Sequence, residues 1–267
     1  MAARGAVRDR AGRIAVKSLQ ILGCRLDQID SGEAAERILA LARDGRGTQV
    51  VTLGTEMVVY AQRHSRFRSI VNDCALSLCD TVGLLLVAKH RGAALRERVT
   101  GIELVERCCA GAAQQGVPVY FLGGVEGVAA AAAERLLTKF PHLRIAGVRS
   151  GYFSDDESAA IAAAIAASGA KLLFAGMGSP RQEYWLAERL PQTGCGAGIG
   201  VGGSFDVIAG RIARAPRLIR SLGLEWLYRL IKEPRRWRRQ LALPRFVWLV
   251  VLEEFGVGGA RKGTVGS

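Results

Sequence analysis

Hydrophobic positions in this chain fall into two kinds of segment that alternate from about residue 19 to residue 204. Short, almost continuously apolar runs occur at 49–53 (QVVTL), 75–79 (ALSLC), 118–124 (PVYFLGG), 143–148 (LRIAGV), 171–176 (KLLFAG) and 196–203 (GAGIGVGG). Between them lie longer, often alanine-rich segments at 31–43, 55–72, 101–115, 125–139, 154–168 and 179–190 that fit helices. Two carry start signals: Ser154 with Glu157 three residues on, and Ser179 followed by Pro180 at the first helical position and by Gln182. Strands and helices alternating at this spacing predict an α/β fold, a parallel sheet with helices on both faces.

In such a sheet ligands bind beyond the carboxyl ends of the strands. That rule selects Thr52 to Glu56, Asp80 and Thr81, Gly123 to Gly127, Gly151 and Tyr152, Gly176 to Gln182, and Gly202 to Asp206. After residue 210 the pattern changes. Positions 211–255 read as consecutive helices without strands, dense in arginine and tryptophan. Phe246 to Leu252 is apolar, but even with Leu241 to Leu243 it falls short of the roughly 20 residues that span a bilayer. An arginine-rich segment bearing Trp226, Trp237 and Trp248 is expected to lie on a membrane rather than cross it. The chain therefore divides into a flexible basic tail (1–18), an α/β core (19–210), a basic helical appendage (211–255) and a disordered glycine-rich end (256–267).

Charge sharpens this picture. Across 267 residues, 37 Lys and Arg against 24 Asp and Glu leave a formal net charge of +13, which favours anionic partners. The excess sits at the ends: Arg4, Arg8, Arg10, Arg13 and Lys17 face only Asp9, and Arg211 to Arg245 holds eleven basic residues against Glu225 and Glu233. The first segment lacks the apolar stretch of a secretory signal, so export is not expected. Six cysteines without a CxxC pair fit small buried residues in a reduced compartment. His64, His90 and His142 stand at no metal-ligand spacing, so no metal site and no cofactor is expected.

Chemistry concentrates at the strand ends. Asp80 follows an apolar strand, where a carboxylate serves either as a general base or as a helix N-cap. The run GMGSPRQE (176–183) opens a helix whose free N–H groups suit a diphosphate, although Gln182 equally suits a capping-box partner of Ser179. Arg98, in RERVTG, can reach a phosphate bidentately or simply lie exposed. GVGGSFD (200–206) lacks the GxGxxG spacing and is weak evidence for a dinucleotide. No DxD occurs, so a nucleotide-sugar enzyme built on this chain would rely on arginines and helix N-termini at its leaving diphosphate.

Taken in order, TLGTEMVVYA (52–61), CDTVG (79–83), RVTG (98–101), FLGG (121–124), GYF (151–153), GMGSPRQE (176–183), GVGGSFDVIAG (200–210), RAP (214–216) and GLEWLYRLIKEPRRWRR (223–239) resemble the WecG/TagA/CpsF family of bacterial glycosyltransferases over residues 19–245. The resemblance implies a Rossmann-like core with a C-terminal helical appendage. It also implies inverting transfer from a UDP-sugar to a sugar on a polyprenyl diphosphate, at the cytoplasmic face of the membrane. On it, Asp80 matches the catalytic base, and Thr52, Gly54, Arg98 and Gln182 match sugar- and phosphate-contacting positions. Gly151, Tyr152 and Asp206 match the uridine region, with Tyr152 suited to stack on the base. Arg229, Lys232, Arg236 and Arg239 match appendage positions that meet the diphosphate or lipid headgroups; their 3, 4, 3 spacing is interrupted by Pro234.

Three positions depart from the resembled pattern. Gly54 stands for Asn, Asp80-Thr81 for Asp-Gly, and Glu103 for Asp. Loss of an amide at position 54 makes plain hexoses, glucose among them, as eligible as N-acetylated sugars such as N-acetylmannosamine. Two other function classes compete: a family member without catalysis that acts as an assembly partner, and a basic nucleic-acid-binding protein. Against the latter, no nucleic-acid-binding motif occurs, and nucleic acid is not an expected partner. An NAD oxidoreductase is disfavoured by the missing glycine fingerprint. An exposed apolar appendage would also favour self-association off the membrane.

Overall fold

A computed structural model describes residues 16–216, 219, 225–232 and 241–256. The two ends read as tails fall largely outside these residues, although Lys17 already accepts a bond from Gln28 N and Ser18 pairs with Asp27. Six strands form one parallel sheet: β3 (Thr48–Leu53), β4 (Leu76–Cys79), β5 (Val119–Gly123), β6 (Ile145–Arg149), β7 (Leu172–Gly176) and β8 (Ala197–Gly200). These are the six apolar runs of the sequence. Their spatial order is β4-β3-β8-β7-β5-β6, so β8, the last of them in sequence, pairs with β3 and β7 in the middle of the sheet.

Alternation along the strands divides the core between the two faces. Val50, Phe121, Phe174 and Ile199 point into a cluster shared with α1 (Ser31–Asp44), α5 (Gly101–Gln115) and α6 (Val128–Lys139). Their neighbours Val51, Leu53 and Cys79 point the other way, toward α2 (Thr55–Ala61), α3 (Ser65–Asp73) and α4 (Val82–His90). On that same side Leu122, Leu173 and Ala175 meet α7 (Ser158–Ala167) and α8 (Arg181–Arg189). The sheet is thus covered on both faces, the Rossmann-like arrangement expected.

Local signals account for most helix boundaries. Asp30 caps α1 by accepting from Glu33 N, Thr100 caps α5, and Gly45 and Gly116 end them in left-handed conformations. The Ser154–Glu157 capping box forms as read, opening a short 3-10 turn before α7. Two features differ from expectation. The segment 55–72 is two helices, α2 and α3, broken at Gln62 to His64. Residues 18–27 form an antiparallel hairpin, β1 (Ser18–Ile21) and β2 (Cys24–Asp27), that lies against edge strand β4. Asp27 Oδ2 accepts from Ser77 N at 2.8 Å, covering part of an edge that would otherwise expose its amides.

A short helix, α9 (Ser204–Ile208), follows β8, and the appendage contributes α10 (Glu225–Lys232) and α11 (Ala242–Glu254). Helix α11 rests on α2 and the hairpin. Phe246 is its fully buried anchor, and Arg91 bonds Glu254 Oε1 at 2.8 Å and Glu253 Oε2 at 2.6 Å. Among the described residues no helix is long and apolar enough to cross a membrane.

Candidate active site

The carboxyl ends of β3, β4, β7 and β8 open into a cleft of ≈ 240 Å³. Asp80, Thr52, Gly54, Arg98 and Gln182 all line it, as do Thr81, Glu56, Ser179 and Ser204. Its outer wall comes from beyond the core: Trp226 of α10 and Leu243 of α11.

Main-chain bonds place Asp80 and the stretch that carries Arg98. Asp80 follows β4 with its N–H donated to Leu53 O at 3.0 Å, and its Oδ1 accepts from Gly101 N at 3.2 Å, the first residue of α5. The carboxylate therefore sits at the N-terminus of a 15-residue helix. Val99 N donates to Cys79 O at 2.7 Å, so the stretch carrying Arg98 is fastened to β4 beside Asp80. Gly101 also lets the start of α5 approach the loop after β8: a Cβ there would stand 2.8 Å from Ser204 Oγ and 3.2 Å from Val201 O.

Gln182 and Thr52 are tied into the cleft wall. Gln182 Oε1 accepts from Gly178 N at 3.2 Å and from Gly202 N at 3.0 Å, while its Nε2 donates to Glu183 Oε1 at 2.7 Å. The capping partnership with Ser179 does not form: Pro180 takes the N-cap position and α8 starts at Arg181, so the amide joins the β7 and β8 loops instead. Glu183 is fully buried, and burial raises its pKa above the ordinary carboxyl value, with the bonds from Gln182 and Ser179 opposing the shift. Thr52 Oγ1 donates to Gly200 O at 2.8 Å, tying β3 to β8 and leaving its lone pairs toward other donors.

Gly151, Tyr152 and Asp206 share the carboxyl edge of the sheet but do not line the cleft. Arg181 donates to Gly151 O at 2.9 Å and Phe153 O at 2.6 Å and stacks over the Phe153 ring, fixing the backbone on both sides of Tyr152. Gly151 N bonds Gly124 O, and a Cβ at 151 would come within 2.9 Å of Gly123 Cα. Tyr152 projects from this pinned loop with 75 % of its surface exposed. Asp206 lies in α9, its carbonyl accepting from Arg211 N and Ile212 N. Of the appendage residues, Arg229 and Lys232 fall on α10 but their side chains are outside what is described, as are Arg236 and Arg239 altogether.

The sequence reading passed over several residues that shape the site. The sequence pattern suggests only a membrane contact for Trp226, and nothing local marks Leu243 as a cleft residue. Arg214, in the RAP run, bonds Glu103 Oε1 on α5 at 2.8 Å, which attaches the start of the appendage to the helix beneath Asp80. Among the described residues no three His, Cys, Asp or Glu side chains gather as a metal site.

A carboxylate, an arginine and helix N-termini facing one cleft suit chemistry on a phosphorylated substrate. The family model described as "Glycosyl transferase WecG/TagA/CpsF family" matches residues 19–258. The chain belongs to this family. It is also similar to the N-acetylglucosaminyldiphosphoundecaprenol N-acetyl-beta-D-mannosaminyltransferase of Bacillus spizizenii, 34 % identical over 209 residues, which cover 78 % of this chain and 80 % of that protein. The chain is thus a glycosyltransferase of the WecG/TagA/CpsF family.

Proposed function

We propose that this glycosyltransferase moves a sugar from a UDP-sugar to a sugar carried on a polyprenyl diphosphate, with inversion at the anomeric carbon, during assembly of a bacterial exopolysaccharide, capsule or wall polymer. The name of the Bacillus relative supports the kinds of substrate. Either a hexose such as glucose or an N-acetylmannosamine-type sugar serves as the donated group. The observation that carries the mechanism is the Asp80 carboxylate, held by the first amide of α5 in a cleft that Arg98 also lines.

Asp80 takes the proton from the acceptor hydroxyl as that oxygen attacks the anomeric carbon. The bond to the diphosphate breaks with its electron pair on the departing UDP. Arg98 and the amides at the start of α4, which Thr81 does not cap with its side chain, stabilise that charge without a divalent cation. Tyr152, Gly151 and Asp206 receive the uridine at the neighbouring loops. Arg229, Lys232, Arg236 and Arg239 meet the acceptor's diphosphate or anionic headgroups.

Helix α11 supports a peripheral place at the cytoplasmic face of the membrane. Phe246, Leu249 and Val250 face the core, while Val247, Trp248, Val251 and Phe255 stand exposed on its opposite side. A helix apolar on both sides needs a second apolar environment. Lipid supplies it at the membrane, and a second copy of the chain would supply it in solution.

The test is transfer from a panel of UDP-sugars to a synthetic lipid-diphosphate sugar by wild type and Asp80→Asn. General-base assistance is worth about 10²–10⁴-fold, so turnover should fall by that order while UDP binding persists. Turnover near wild type removes Asp80 from the role, and loss of activity on chelation removes the metal-free part.

A further inference from the structure

Two residues beside Asp80 are not explained by the fold. Gly54 ends β3 and occupies the N-cap of α2 at φ −111° and ψ 163°, extended backbone that any residue adopts. A side chain with an oxygen would be favoured there, since it could accept from the first turn of α2. Glycine gives up that cap and gains nothing in conformation. Thr81 occupies the N-cap of α4 and is a residue type suited to capping, yet its side chain makes no capping bond. Its Oγ1 is buried and has no hydrogen-bond partner among the described residues.

The two positions touch. A Cβ built on Gly54 would meet Thr81 Cγ2 at 3.4 Å, with only Glu56 Cγ, at 4.0 Å, otherwise within range. No backbone blocks the space, so the glycine is not required by close approach. Thr81 turns its methyl toward Gly54 and its hydroxyl into the protein. Both residues line one wall of the cleft, between Glu56 and Asp80, and the two themselves offer it a methyl and a bare main chain.

We infer that Gly54 and Thr81 are a specificity-determining pair that sets this wall for a sugar presenting a hydroxyl rather than an acetamido group. This rests on the proposed transfer reaction. An acetamido group against the pair could give its N–H to Asp80 or Glu56, but its C=O would find no side-chain donor on the pair, and the Thr81 methyl takes part of the room it needs. A hydroxyl is smaller and can turn toward the neighbouring main chain or Asp80. The two positions act together: no side chain stands at 54, and a methyl stands beside its place. The sugar against the wall belongs to the donor or the acceptor, and the test separates them.

Purified full-length wild type, Thr81→Ser, Gly54→Asn and the Gly54→Asn/Thr81→Gly double variant are assayed with UDP-glucose and UDP-mannose against UDP-N-acetylglucosamine and UDP-N-acetylmannosamine. Each donor is paired with lipid-diphosphate-linked glucose and N-acetylglucosamine. Wild type should prefer the non-acetylated sugar in one arm, donor or acceptor, by on the order of 10–100-fold in kcat/KM. The double variant should move that ratio toward the acetamido sugar by about tenfold or more. Thr81→Ser, which removes only the methyl, should move it part of the way, and Gly54→Asn alone, crowded by Thr81, should move it less than the double variant. Transfer with the ratio unchanged in the double variant and in Thr81→Ser, or wild-type preference for acetamido sugars in both arms, overturns the pair and leaves the glycosyl transfer standing. Absence of transfer by wild type with every combination overturns both.

Discussion

Replacing Phe246 with alanine tests how the outer wall of the cleft is held. Phe246 is 1 % exposed and is the buried anchor of α11, while Leu243, one turn earlier, lines the cleft. Burying a phenylalanine is worth roughly 1.5–3 kcal/mol, and truncating one in a core that cannot collapse costs about 3–5 kcal/mol. The other ties are weaker. The Arg91 pairs with Glu253 and Glu254 are partly exposed and contribute on the order of 1 kcal/mol or less each after screening. A helix of 13 residues is marginal in water by itself. The protein therefore has a cheaper course than keeping a cavity, which is to let α11 go, and the loss is capped at the docking free energy. Hydrogen exchange should show amides of 245–254 opening roughly ten- to a hundredfold more often, from about 1.5–3 kcal/mol, while amides of β3, β7 and β8 keep most of their protection. Transfer should fall with the wall. If α11 keeps its wild-type protection and the central strands lose theirs, the helix is an integral part of the core and this reasoning is wrong.

Other expectations follow from single groups. Glu183 has a raised pKa in the fold, so its contribution to stability is present below the ordinary value of 4.5 and is lost as pH rises through the folded value. The melting temperature of Glu183→Gln minus that of wild type should accordingly grow more positive from pH 5 to pH 8; a flat difference would show that Glu183 keeps an ordinary pKa. Arg181→Ala removes two charge-assisted bonds of about 1.5–3 kcal/mol each around Tyr152, so UDP affinity, read by calorimetry, should drop while α8 stays folded. Unchanged UDP affinity would detach that loop from nucleotide binding. Burial pushes Cys24, Cys74 and Cys79 up to about 12 and Cys195 to about 11, so the native protein should react slowly with a thiol reagent at pH 8 and fully once denatured.

Parts of this fold are legible in sequence because parallel strands buried on both faces read as unbroken apolar runs, and all six were visible. Their order was not, because nothing local says that β8 returns to the middle of the sheet. The hairpin escaped notice for a different reason. Its four-residue strands hold Arg25 and Asp27, which read as surface, yet both are buried: Arg25 bonds Asp27, Asn72 O and Cys74 O. The break between α2 and α3 has no glycine or proline to announce it; His64 stacks on Tyr60 and accepts the turn. Helix α4 lies inside VGLLLVAKH, where apolar residues leave no period to detect. At the site, Asp80, Thr52, Gly54 and Gln182 follow from the strand-end rule and Arg98 only from the resemblance, while the sequence leaves Asp80 open between base and cap. Leu243 and the contact of Gly54 with Thr81 depend on tertiary docking and have no local signal.

The cleft joins two kinds of construction. Its inner side is cross-linked by main-chain and buried side-chain bonds: Asp80 to Gly101, Val99 to Cys79, Gln182 to both Gly178 and Gly202, Thr52 to Gly200. Asp80 and the backbone that carries Arg98 are on one fastened piece, so displacing one main chain relative to the other would mean breaking strand-end hydrogen bonds first. That is what stabilising a developing charge requires, since donors that must reorganise during reaction lose much of their effect. On the outer side, Leu243 hangs on a helix anchored by Phe246, Arg91 and a few half-buried residues, with Trp226 of α10 beside it in the lining. On the proposed reaction, a long lipid-linked acceptor enters more readily past a wall that can move, and Asp80 acts on a hydroxyl only if the other wall holds it in place. Placing the rigidity with the charged groups and the weaker attachment with the apolar wall meets both demands.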